Sequence, residues 1–156
     1  MTTRKTIHIA GGLIILFILI QFVPAGAADN PPVEEEVRAP EEVMTVLRRS
    51  CYDCHSHETV WPWYAHVAPA KWLVRKDVAD AREDLNFSAW NRYDAERRAH
   101  KWEEVAEEVE EGEMPLELYL PLHGEARLTD RERQLIVDWA EAQAGIGVDA
   151  PAGIGD

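Results

Sequence analysis

Cysteine is scarce in this chain of 156 residues: there are two, Cys51 and Cys54, both inside one five-residue stretch. That excludes a disulfide scaffold, since small proteins stapled that way scatter several cysteines along the chain. A second cysteine pair is missing, so a structural zinc site would have only His57 and His66 to draw on. No stretch alternates convincingly at period two, which argues against strands and removes the βαβ setting that a thioredoxin-like redox pair needs. No internal repeat is visible, and the length suits one domain.

Acidic residues are absent before Asp29. Arg4 and Lys5 there precede an apolar run from Ile7 to Val23, broken only by His8, glycines and Gln21. Ala25-Gly26-Ala27 then offers a small-x-small pattern for cleavage before Ala28. The run is also close to the roughly 20 residues that cross a bilayer. Residues 1–28 therefore read as a signal peptide or as an N-terminal membrane anchor through residues 7–23, and both readings stay open. In either case Arg4 and Lys5 remain in the cytoplasm and the chain after Pro24 lies outside, in the periplasm or on the outer face of the inner membrane.

Beyond the leader basic charge is the scarce one. Removing Arg4 and Lys5 leaves 14 Lys and Arg against all 29 Asp and Glu, a formal charge of −15. Such a field opposes nucleic acid and anionic lipid and favours a partner with a basic docking face; the plain alternative is solubility.

Residues 29–39, with Asn30-Pro31-Pro32-Val33 and the acids that follow, read as a Pro/Glu-rich linker. The folded domain is expected over 40–145. Pro40, Glu41 and Glu42 suit the start of a short helix leading into Cys51, with Val43 and Leu47 as its stripe. Val74, Val78, Ala81 and Leu85 mark a helix from Pro69 to about Leu85. Asp94 as N-cap and Gly112 as C′ bound another, which buries Trp102, Val105, Ala106 and Val109. Thr129 to Glu132 forms a T-x-x-E capping box for a last helix ending at Gly145, and residues 146–156 read as a disordered tail. The fold class is all-α, with about four helices.

Cys51-Tyr52-Asp53-Cys54-His55 matches C-x-x-C-H. The spacing lets two sulfurs reach neighbouring vinyl groups of one haem while the adjacent imidazole lies under the iron, and the pattern reads as attachment of a single covalent haem c. A disulfide across the two cysteines would leave His55 unexplained.

A second axial ligand would come from the opposite face. Met44 lies on the helix entering the motif, on the His55 side. Met114 follows the helix end at Gly112 and precedes Pro115, which biases its backbone towards an extended form that can project the thioether inwards. The competing reading of Met114 is a core filler. Among histidines, His57 is too close to His55 to reach the far face easily, His66 is a further rival, and His100 and His123 are plausible ligands. Trp61-Pro62-Trp63-Tyr64 supplies three rings expected to pack against the cofactor.

These stretches, with Ala68-Pro69, Asp77-Val78, Leu85-Asn86-Phe87-Ser88, Trp90, Gly112-Glu113-Met114-Pro115, His123 and Trp139, resemble the small bacterial haem-binding domain proteins, from about Asn30 to Ala144. The resemblance implies a cytochrome c-like bundle wrapped round one haem, held by Cys51, Cys54 and His55 with Met114 as distal ligand, in a redox setting without a known substrate. The function expected is a one-electron carrier rather than an enzyme. A haem-based sensor or binding module, and a peroxidase with Met114 displaced, are the alternatives.

Overall fold

The computed structural model describes residues 2–148. Six α-helices follow in order: α1 (Thr2–Gln21), α2 (Glu41–Ser50), α3 (Tyr52–His55), α4 (Ala70–Asp84), α5 (Ala95–Glu111) and α6 (Asp130–Val148). Short 3-10 turns cover Trp63–His66, Trp90–Arg92 and Gly124–Ala126. Among the described residues there is no strand, only an isolated bridge between Glu35 and Ala89. The chain is all-α, as its periodicities require. The four expected helices are α2, α4, α5 and α6; α1 covers the leader, and α3 is the C-x-x-C-H peptide itself.

Local chemistry sets the helix ends. The Pro40 carbonyl accepts from the Met44 amide at 2.9 Å, and α2 has Glu41 and Glu42 in its first turn and Arg48 and Arg49 in its last, complementing the helix dipole. Asp94 caps α5 by accepting from the Arg97 amide at 2.9 Å. Gly112 ends it at φ +81, a left-handed conformation that favours glycine. At α6 the Thr129 amide donates to Glu132 Oε2 at 2.9 Å and the Glu132 amide donates to Thr129 Oγ1 at 3.3 Å, a reciprocal capping box.

The core lies where α2, α5 and α6 meet. Val43, Val46 and Leu47 of α2 join Trp102, Val105 and Val109 of α5 and Ile136, Val137 and Ala140 of α6. A run of rings crosses it: Tyr52 stacks on Phe87 at 5.5 Å, Phe87 on Trp102 at 6.1 Å, and Trp102 meets Trp139 edge-on at 4.5 Å. Phe87 is 1% exposed.

Two sequence boundaries need correction. Residues 29–39 are not a solvated linker. The Glu34 and Val37 amides donate to the Ser88 and Phe87 carbonyls at 2.9 Å each, the Trp90 amide donates to the Glu35 carbonyl at 3.0 Å, and Val37 is 3% exposed. The prolines stiffen this segment into a strap lying along residues 86–90, so folded structure begins near Asn30. At the other end α6 passes through Gly145 to Val148. Gly145 has open space around it, and among the described glycines only Gly112 has a positive φ, so Gly145 does not stop the helix. Of the expected tail, 146–148 are helical and the rest lies outside the described residues.

The end of the leader rests on α4. Gln21 and Ala68 exchange hydrogen bonds, the Ala68 amide donating to Gln21 Oε1 at 2.8 Å; Lys71 Nζ donates to the Gln21 carbonyl at 2.7 Å, and Arg75 Nη1 to the Gly26 carbonyl at 2.9 Å. Trp72 Nε1 donates to the Pro24 carbonyl at 3.1 Å. Among the described residues no helix is long and apolar enough to cross a membrane, which leaves the spanning reading of residues 7–23 without support.

Candidate functional site

Between the C-terminal end of α2, α3, α4, α5 and the segment after Gly112 lies a cavity of about 540 Å³. Its volume falls in the roughly 300–1,000 Å³ range of pockets that hold small molecules and cofactors. Leu47, Leu85, Phe87, Val105, Val109, Leu116, Leu128 and Ile136 give it apolar walls. Cys51, Cys54, His55 and Met114 also line it, so the chemistry-bearing residues of two distant motifs share one space.

His55 closes α3 and is fixed by its own ring. Its Nδ1 lies 3.1 Å from both the Ala81 and the Leu85 carbonyl, at the end of α4. Carbonyls only accept, so Nδ1 carries the proton and Nε2 keeps the lone pair a metal needs. Such a backbone partner sets tautomer and ring orientation in metal-ligating histidines. Burial lowers the pKa of His55, with the two carbonyl bonds opposing it, which keeps the imidazole neutral and able to ligate.

Both cysteines are free thiols. Burial pushes Cys51 up to about 12, helped by the neighbouring Cys54, and pushes Cys54 up to about 11, with Asp53 adding to it. A dithiol redox catalyst needs the opposite, a depressed thiol pKa. Among the described residues no three His, Cys, Asp or Glu side chains gather into a site for a bare metal ion, which removes the structural zinc reading.

Of the methionines and histidines among the described residues, only Met114 and His55 line the cavity. Met44 packs against the core instead. His57 is buried with Nδ1 2.9 Å from the Pro32 carbonyl and Nε2 2.9 Å from Asn86 Nδ2. His66 lies against Arg75, His100 against Glu103 and Glu104, and His123 against Tyr64.

Trp61, Trp63 and Tyr64 do not line the cavity, and their expected packing on the cofactor is corrected. Trp61 Nε1 donates to Asn30 Oδ1 at 3.2 Å, Trp63 is 76% exposed, and Tyr64 bonds His123. In the loop after His57, Thr59 Oγ1 and the Val60 amide both bond back to Asp53.

Sequence reasoning missed several residues at the site. Phe87 packs edge-on to His55 at 6.2 Å, and its amide donates to the His55 carbonyl at 2.8 Å. Tyr119 lines the cavity and donates to Asp53 Oδ2 at 2.8 Å. Asp77, Asp80 and Asp84 line it from α4, at i, i+3 and i+7, and Glu104 and Glu108 from α5. That helical spacing of carboxylates was readable in the sequence. Asn86 fits a glycosylation pattern yet is 3% exposed and held by His57.

The residues present fit a haem: apolar walls, two thiols, one neutral imidazole, one thioether, and a Ser50 hydroxyl buried at the wall without a hydrogen-bond partner. Comparison with curated proteins and with solved structures returns no match. A family model described as a haem-binding domain matches residues 15–142. The match takes in every cavity-lining residue and most of the chain, and the protein belongs to the haem-binding domain family.

Proposed function

We propose that the protein is a one-electron carrier whose haem is joined by thioethers to Cys51 and Cys54 and ligated by His55 and Met114. The observation that carries this reading is the convergence of both thiols, a single histidine and a single methionine on one largely apolar cavity. The iron, when bound, supplies the ferric–ferrous couple; the chain's part is to hold it and set its potential. When haem is bound, Cys51 and Cys54 would hold it by addition of each thiol across a vinyl double bond, sulfur to one carbon and hydrogen to the other, with no net oxidation. His55 contributes an imidazole already oriented by Ala81 and Leu85. A thioether opposite an imidazole raises the reduction potential relative to two histidines.

The leader-like segment before Ala28 supports export to the periplasm. The rim carboxylates Asp77, Asp80, Asp84, Glu104 and Glu108 support a redox partner with a basic face, since charge steering acts most strongly beside the site it serves.

The test is the absorption spectrum of the haem-loaded protein. A low-spin ferric form with a methionine-to-iron charge-transfer band, lost in Met114→Ala, is the expected result. A high-spin ferric form whose ferrous state binds carbon monoxide at once would replace the carrier by a ligand-binding module. Haem should survive acid-acetone extraction and be retained less well in Cys51→Ala.

A further inference from the structure

The segment carrying Met114 has little hydrophobic packing of its own. Leu116, Leu118 and Leu122 are 42%, 73% and 69% exposed. The Met114 amide donates to the Glu108 carbonyl of α5 at 3.1 Å, but beyond it the chain is turned on itself, the Tyr119 amide donating to the Leu116 carbonyl and the His123 amide to the Leu120 carbonyl. Among the described residues, two side-chain bonds tie it to the rest of the molecule. Tyr119 donates to Asp53 Oδ2 at 2.8 Å, and the Tyr64 hydroxyl meets His123 Nε2 at 2.5 Å.

These ties form one unit. The Tyr119 and His123 rings stack at 3.9 Å with 7° between planes, so neither tie moves without the other. Both receiving ends are themselves fixed. Asp53 Oδ1 accepts from the Val60 amide at 2.8 Å, and the turn bearing Tyr64 is held where Arg75 Nε donates to the Ala65 carbonyl at 2.9 Å. Asp53 stands between Cys51 and Cys54, so the first tie joins the attachment peptide to the segment five residues beyond Met114.

We propose that Tyr119 and His123, with Asp53 and Tyr64 as their anchors, are positioning residues that clasp the Met114 segment across the pocket and hold its thioether at the iron. The inference rests on Met114 as the distal ligand. It gives Tyr64 and the aromatic motif around it a role: the motif is wired to the site through His123 instead of packing on the cofactor. Burial and the bond to Asp53 keep the Tyr119 phenol protonated, and thus a donor. Losing a hydrogen bond to a charged acceptor shifts a two-state equilibrium by about tenfold or more, so breaking the clasp populates an open form in which Met114 is off the iron.

The experiment uses the haem-loaded full chain with Tyr119→Phe, Tyr64→Phe and Met114→Ala. The phenylalanines keep the rings and remove only the hydroxyls. Expected are a weaker methionine-to-iron band in both tyrosine variants, carbon monoxide binding to the ferrous form at least about tenfold faster in Tyr119→Phe and about fivefold faster in Tyr64→Phe, and faster hydrogen exchange confined to residues 114–123. The control Leu118→Ala, exposed and outside both ties, leaves all three unchanged. Exchange over 114–123 that matches the unmodified protein in both variants overturns the clasp. Faster exchange with an unaltered band, where Met114→Ala abolishes that band, overturns its positioning role. A band and spin state untouched by Met114→Ala defeat the ligand reading itself, and the positioning of Met114 with it.

Discussion

Phe87 is joined to His55 twice, its amide to the histidine carbonyl at 2.8 Å and its ring edge-on to the imidazole at 6.2 Å. With Leu85 accepting from His55 Nδ1, the stretch 85–87 forms the backing against which the ligand stands. The same ring stacks between Tyr52 and Trp102, so the ligand's support and the hydrophobic core are one structure.

Phe87→Ala should therefore cost about 3–5 kcal/mol, the usual range for truncating a buried phenylalanine. Equilibrium urea unfolding of the variant against the parent measures it. A loss under about 1 kcal/mol would mean that the ring is not enclosed.

Glu132 gives the acid response. Its hydrogen bond with Arg49 at 2.7 Å, then its bonds from Thr129, hold the carboxyl at about 2 against an ordinary 4.5. A depressed folded-state pKa contributes stability that is complete above the ordinary value and fades as pH falls from about 4.5 towards 2. Glu132→Gln should lower the melting temperature at pH 6, and the gap to the parent should close by pH 2. A gap of equal size at both ends of a pH 2–6 series would refute the linkage.

The thiols supply a second titration. Before haem is attached, alkylation of Cys51 and Cys54 by iodoacetamide should be slow at neutral pH and keep rising between pH 9 and 11, since burial holds both protonated. A rate that levels off near pH 9 would show ordinary, exposed thiols.

His57 pins the strap at 30–37 through Pro32, and Asn86 and Ser88 complete its surroundings. His57→Ala should cost about 1–3 kcal/mol, as expected when buried partners lose their bonds. Limited proteolysis should then cut within 30–40 in the variant and spare the parent.

What was legible followed from local rules. Asp94, Gly112 and the Thr129–Glu132 box act at their own helix ends, so short-range chemistry located α5 and the start of α6. That C-x-x-C-H and Met114 face one cavity was readable because cysteine, histidine and methionine are side chains able to hold a metal or its cofactor. The strap was not, because its bonds run to Phe87 and Ser88 some fifty residues on, and proline with glutamate looks solvated from sequence. Trp61 to Tyr64 misled for a related reason: aromatic residues near a motif suggest contact, while the loop before them bonds back to Asp53. Gly145 shows that a glycine in a helical stretch ends it only where the backbone turns left-handed.

Helix α4 serves two clients. Its first two turns, through Lys71, Trp72 and Arg75, hold Gln21, Pro24 and Gly26, while Asp77, Asp80, Ala81 and Asp84 further along form one bank of the pocket. Fifteen residues of helix make a rigid strut about 22 Å long. Trimming the chain after Ala27 would thus remove all three of these partners. It would unmask an ammonium, an indole and a guanidinium together, a cationic aromatic spot on an otherwise anionic body, and so give the trimmed and untrimmed forms different surfaces to offer their surroundings.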